Sequence, residues 1–226
     1  GPAHARARSG DRTFTLIWLG TGAFIYYNTN ILNRYLPSDE LEELQARYER
    51  EYKQYEDLPQ PRITAVAIEA DLYPYERRVE VRGTLRVVNK TDQPITDIHV
   101  PGADTDVEVV VLDIPGATLT HHDEELDYRI FTLASPMQPG DGFDVKYDYR
   151  KHLRGFGNEA TDTNIVANGT FINSFAFMPH FGYSDALELS EPNDRRKHGL
   201  PERLRMPKID ASTRARTHIS ARTRIG

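Results

Sequence analysis

The run "RRVEVRGTLRVV", residues 77–88, constrains this chain more than any other stretch. Val79, Val81, Gly83, Leu85 and Val87 share one parity, and Arg78, Glu80, Arg82, Thr84 and Arg86 share the other. A period of two with apolar and charged residues separated describes a β-strand buried on one face and solvated on the other. A helix built from the same residues would scatter charge around its whole circumference. The run turns at "NKTDQP" and resumes at Ile95. Further runs at 63–72, 107–112, 117–121, 128–133 and 142–149 are each bounded by Gly, Pro or Asp turn signals. Short strands so spaced predict a mainly β fold, an antiparallel sandwich or saddle-shaped sheet. No glycine-rich phosphate loop or helix-alternating pattern interrupts them, and no internal repeat is present.

Two different segments precede this body. Arg6, Arg8 and Arg12 lead into an apolar run from Phe14 to Tyr27, with Trp18, Tyr26 and Tyr27 within it or at its far end. Basic flank and aromatic belt suit a membrane-associated segment. The run is nonetheless shorter than the ~20 apolar residues of a full span, and Gly20, Thr21 and Gly22 interrupt it. A buried strand or helix, or a signal peptide, would use similar residues, although no small-residue cleavage site follows Tyr27. After it, "LPSDELEELQARYEREYKQYEDLPQP" predicts an amphipathic helix. Asp39 and Glu42 read as a capping pair. Leu41, Leu44, Tyr48, Tyr52 and Tyr55 form one stripe at three- and four-residue steps, and Pro59 and Pro61 end it. Packing of the stripe on the following domain is favoured over a coiled coil.

The totals narrow the function. A chain of 226 residues with 38% hydrophobic and 27% charged residues can bury a real core. Its net charge of -6 argues against nucleic acid as a partner. With no cysteine, disulfides and thiolate metal sites are excluded, while cytoplasmic and extracytoplasmic locations both remain open. The first residue is Gly rather than Met, which reads as a processed or cloned fragment.

Candidate chemistry is sparse. "THHDEELDY" gathers His121, His122, Asp123, Glu124 and Glu125. Adjacent histidines on a strand point to opposite faces and do not easily share one ion, so a polar hairpin is the simpler reading. No His-Glu-x-x-His and no Gly-x-Ser-x-Gly occurs. No catalytic and no metal residue is therefore assigned. Asn89 and Asn168 open formal glycosylation sequons that turn chemistry also explains. From Arg203 the tail is basic, and residues 211–226 read as a disordered end.

"NGTFINSFAFMPHFGY", residues 168–183, carries Phe171, Phe175, Phe177, Phe181 and Tyr183 without strand or helix spacing. Core, substrate wall and docking surface are all compatible with it.

Several motifs together resemble a known arrangement: "FIYYNTNILNRY" before the Tyr-rich helix and "YEDLPQPRIT", then "VEVRGTLRVVNKTDQPI", "LASPMQPGD", "RGFGN", "NGTFINS", "MPHFGY" and "RRKHGLPERLRMPK". Their order is similar to bacterial membrane proteins that join an ABC-transporter-type permease to a gluzincin (aminopeptidase N family) module. It covers roughly residues 20 to 210. The resemblance implies four parts. Residues 1–36 would be a basic flank and partial membrane segment, and 37–61 a tether helix. Residues 62–210 would be the amino-terminal β-domain, and 211–226 the tail. It also implies an inner-membrane-anchored, periplasmic protein whose zinc and catalytic domain lie outside this chain. That missing domain, a peptide substrate and the membrane would be its partners, and this chain would be non-catalytic. Asn168 and Thr170 match cleft-lining polar positions, though the Gln/Glu pattern of soluble relatives is absent. The aromatics Phe171 to Tyr183 would then face the missing domain. The alternative is a self-standing β-sandwich that binds a protein or peptide.

Overall fold

A computed structural model describes residues 3–33, 35–102, 107–156 and 164–203; at 3–11, 174 and 175 only the backbone is described. The chain is mainly β, as its alternation predicts. Seven strands run in order: β1 (Arg62–Tyr73), β2 (Arg78–Val88), β3 (Ile95–Val100), β4 (Val107–Asp113), β5 (Ala117–Asp123), β6 (Tyr128–Met137) and β7 (Gly142–His152). They form two antiparallel sheets, β1-β2-β7-β4 and β3-β6-β5.

The parity read from residues 77–88 sets the packing. Val79, Val81, Leu85 and Val87 of β2 are buried against Ile95, Ile98 and Val100 of β3, Phe131 and Leu133 of β6, and Val145 and Tyr149 of β7. Gly83 shares that inner face because it lies opposite Tyr147 in the ladder. A Cβ on Gly83 would come within 2.5 Å of the Tyr147 ring, so the glycine makes room for the phenol. The turn after β2 is tied by Asn89, which is buried. Its Nδ2 donates to the carbonyls of Gln93 (2.8 Å) and Met137 (2.9 Å), and its Oδ1 accepts from the Thr91 amide (2.9 Å). That first sequon is thus a structural turn with no free amide.

The amphipathic helix is α2 (Ser38–Tyr52), extended by one 3₁₀ turn at Lys53–Tyr55. It packs on the outer face of the three-stranded sheet, giving the layer order sheet, sheet, helix. Tyr48 and Tyr52 bury against Tyr128, with Tyr55, Ile130 and Tyr183 around them. One expectation fails here: Asp39 and Glu42 do not cap the helix. Pro37 sits at the cap without a side-chain bond, and both carboxylates instead accept from Lys197 at 2.8 Å. A lysine brought in by the distant helix α3 (Pro192–Lys197) outcompetes the local backbone amides.

The apolar amino-terminal segment is neither a buried strand nor a buried helix. It is an α-helix, α1 (Ala3–Tyr26), continued by a π-helix at Tyr27–Leu32. Phe14, Trp18 and Tyr26 are all largely exposed. Among the described residues no helix is long and apolar enough to cross a membrane. The π-helix docks on the turn after β7. Asn33 Nδ2 donates to the carbonyls of Asn28 (2.8 Å), Arg154 (3.0 Å) and Phe156 (3.2 Å), while Phe24 meets Phe156 at 5.8 Å between ring centroids. Gly155 has φ 57° there, and a Cβ would collide with Asn28 Oδ1. "NTNILN" and "RGFG" are thus two halves of one joint.

Candidate functional site

The segment from Asn164 to Tyr183 closes one end of the sandwich. Its first loop is held by its own backbone: the Gly169 amide donates to Val166 O (3.3 Å) and the Phe171 amide to Asn164 O (2.8 Å). Thr170 Oγ1 donates to Val166 O at 3.2 Å, so this hydroxyl serves the loop. Asn168 is exposed at the turn.

The aromatics do not form one surface. Phe177 is buried in the sandwich core and Phe181 packs half-buried against it. Tyr183 turns towards α2 and stacks on Tyr48 at 5.0 Å. Phe171 is 75% exposed, while the Phe175 side chain lies outside the described residues. Beside Phe171 is a cavity of about 90 Å³ walled by Lys151, Ile165, Ile172 and Phe177. Phe171 is therefore a fixed apolar group at a rim, next to Asn168 and Thr170.

A second cluster was not legible from spacing. Tyr52 stacks on Tyr128 at 3.8 Å, and Tyr128 Oη lies 3.1 Å from His99 Nδ1, with Tyr55 against the His99 ring. Tyr52 Oη donates to Asp123 Oδ2 (3.1 Å) and sits 3.0 Å from His121 Nε2. Arg47 binds Asp123 at 2.5 Å and also Glu125. The polar hairpin expected at "THHDEELDY" is present: Asp123 Oδ1 accepts from the amides of Glu125 and Leu126. His121 and His122 part to opposite sides, towards Tyr52 and Asp127. The missed signal was the helical stripe itself, since it required partners on the outer face of a sheet.

Electrostatics make this cluster a clasp. Burial pushes the Tyr48 phenol up to about 12, and burial likewise raises Tyr52, Tyr128 and Tyr183. All four stay neutral near pH 7, as donors rather than bases. Burial also lowers the His99 pKa, so its ring is neutral there. Burial opposes the Asp123 charge, but hydrogen bonds from the Leu126 amide, Arg47, the Glu125 amide and Tyr52 outweigh it and lower the pKa. None of these groups pairs a nucleophile with a free base. Among the described residues no three His, Asp or Glu side chains are grouped to hold a metal.

A cleft of about 330 Å³ lies between α2 and the segment that leads into α3, with Lys53, Glu188, Arg195 and Arg203 on its walls. Arg195 donates to both oxygens of Glu49 at 2.7 Å, and to the carbonyls of Leu189 and Pro201 at 2.7 Å. Lys53 donates to Glu188 at 2.6 Å and Tyr183 to the same oxygen at 3.0 Å. Burial opposes ionisation of Glu188, yet these two donors hold its pKa below the usual carboxylate value. Lys53, Glu49, Glu188, Arg195 and Arg203 thus pair among themselves along the cleft.

No family model matches the chain, and no curated protein matches it. Solved structures it is similar to include M1 zinc metallopeptidases. The Deinococcus radiodurans enzyme is 16% identical, with 45% of this chain and 25% of that chain covered and a TM-score of 0.33. A mutant of it bound to a Tyr-Ser-Ala substrate is 17% identical at the same coverage and TM-score. This chain therefore spans about a quarter of the length of those structures.

Proposed function

We propose that this chain is a non-catalytic part of a membrane-bound zinc aminopeptidase-like protein of the permease-fusion type, supplying the substrate-side β-domain. The supporting observation is the rim at Phe171. An apolar ring three-quarters exposed is held on a loop closed by two backbone hydrogen bonds, beside Asn168 and Thr170. A large exposed aromatic on an ordered loop suits a contact made with another body. The order of motifs from "FIYYNTNILNRY" to "RRKHGLPERLRMPK" supplies the identity of that body, a zinc-dependent catalytic domain. That domain would carry the metal and its activated water, and the β-domain would position the peptide and shield it from solvent. The exposed apolar helix α1 would rest in the membrane, with the sandwich on the extracytoplasmic side.

The test has two arms. This chain alone, with added zinc, should not hydrolyse aminoacyl-anilides, and robust turnover would refute the proposal. In the protein encoded by the full reading frame, Phe171→Asp should lower peptidase kcat/KM at least tenfold while the sandwich melts unchanged. An unaltered kcat/KM would count against the rim as a domain contact.

A self-standing binding module is the second reading, favoured by a closed core between the central strands of the two sheets. The inner faces of the two sheets are covered by one another at β2, β3, β6 and β7. A reading frame with neither permease helices upstream nor His-Glu-x-x-His downstream would put this reading first.

A further inference from the structure

Among the described residues, strand β1 ends the four-stranded sheet and no strand pairs with its outer edge. From Thr64 to Tyr73 it contains no Lys, Arg or Pro, and its only charges, Glu69 and Asp71, lie on the outer face. Lys and Pro are common guards of natural edges, because unpaired amides and carbonyls recruit another strand. The register with β2 places Val66, Ile68, Ala70 and Leu72 opposite Leu85, Gly83, Val81 and Val79, on the sheet's inner face. Their partners on β2 are core or core-lining, yet Val66, Ile68 and Leu72 are 48%, 42% and 47% exposed. The second sheet stops short of β1, and an apolar strip continues the inner layer into solvent.

We propose that this edge pairs with the same edge of a second copy, antiparallel about a two-fold axis through Ile68, joining two four-stranded sheets into one. The sequence selects both the partner and the register. A two-fold perpendicular to the sheet keeps both inner faces on the same side only if residues of equal parity oppose each other. With the axis at Ile68, Val66 of one copy opposes Ala70 of the other, which extends the apolar strip. On the outer face Ala67 opposes Glu69, and Ala65 opposes Asp71. Each acid of β1 thus meets an alanine. Moving the axis to Glu69 sets Glu69 against Glu69, and moving it to Ala70 sets Glu69 against Asp71; both are repulsive. Moving it to Ala67 pushes Asp71 against Ile63, where the strand bulges between Ile63 and Ala65. A single strand pair is at the small end of specific interfaces, so the association is weak and reversible.

The cysteine-free chain permits a direct test. In this 226-residue chain, Ile68→Cys puts two thiols opposite each other across the axis, within the roughly 5 Å Cβ spacing of facing strand residues. Leu72→Cys puts its two thiols eight positions apart along the ladder, roughly 27 Å. Under mild oxidation the first variant should form a disulfide-linked dimer at least tenfold faster than the second. Two outer-face variants supply an orthogonal readout by sedimentation equilibrium. Ala67→Lys faces Glu69 of the other copy twice per dimer and should tighten association roughly threefold or more, whereas Ala67→Glu should weaken it by a similar factor. Equal cross-linking at 68 and 72 would overturn the proposal, as would the two Ala67 variants shifting association in the same direction. Association through exposed α1 gives that equal cross-linking, and so also counts against it.

Discussion

Removing Arg195 tests how α2 is fastened to the rest of the chain. Its guanidinium is 3% exposed and makes four bonds of 2.7 Å, two to Glu49 and one each to Leu189 O and Pro201 O. Arg195→Met keeps the apolar stem and deletes every donor. Glu49, itself 2% exposed, then keeps only the longer contact with the Lys53 ammonium at 4.0 Å. Breaking one partner of a buried pair costs about 3–5 kcal/mol. For a chain of this length each kcal/mol lowers Tm by about 2–4 °C, so a drop of roughly 6–20 °C is expected. The loss should begin locally, because α3 is also held to α2 through Lys197 with Asp39 and Glu42. Amide exchange at 189–201 should accelerate before that of β2 and β7. The double variant Glu49→Leu/Arg195→Met removes both charges and should recover at least about 2 kcal/mol relative to Arg195→Met. The two carbonyls stay unpaired, so recovery is incomplete. Urea unfolding followed by tyrosine near-ultraviolet dichroism reads these two variants and the single Glu49→Leu. A cost below 1 kcal/mol for Arg195→Met, or a double variant that costs the sum of the singles, would refute the reasoning.

Gly83→Ala should destabilise the sandwich by about 1–3 kcal/mol through overpacking on Tyr147. Gly83→Ala/Tyr147→Phe, which removes the nearest hydroxyl, should restore part of this in the same urea titration. Asn89→Ala removes the donor to Met137 O and the acceptor of the Thr91 amide, leaves Gln93 O with Thr91 Oγ1 alone, and should cost about 2–4 kcal/mol in thermal unfolding. The pH dependence has a definite sign. His99 binds protons less readily folded than unfolded, so stability is retained above about 6.5, its ordinary value, and falls as pH drops below it. Asp123 and Glu188 have lowered pKa values when folded. Their contribution is present above the ordinary values of 3.8 and 4.5, and is lost as pH falls further. His99→Gln should flatten the first decline and leave the second, as measured by urea midpoints between pH 3 and 8.

The strands were legible because burial of one face writes a period of two directly into the residues. Val79 to Val87 show both where β2 runs and which side chains enter the core. The same logic gave the helical stripe of Tyr48 and Tyr52, since residues three and four apart share a face. What periodicity does not carry is the identity of a partner distant in sequence. Asp39 looked like a cap because the local amides were the visible donors, yet Lys197 reaches it. Phe177, Phe181 and Tyr183 looked like neighbours of Phe171 because they are near in sequence. An irregular segment has no fixed face, and each ring went to whichever cavity its backbone path passed.

By itself the sequence determined the β class, the strands, the inward parity of β2 and the stripe of α2, all of which follow from local repetition of apolar and polar groups. Only the tertiary structure decided that β2 lies between β1 and β7, and that the stripe meets Tyr128, His99 and Asp123. It alone seated Arg195 on Glu49 and left Phe171 and the edge of β1 uncovered. These depend on pairings across tens of residues, which are fixed by the shared burial of surfaces that no short window of sequence contains.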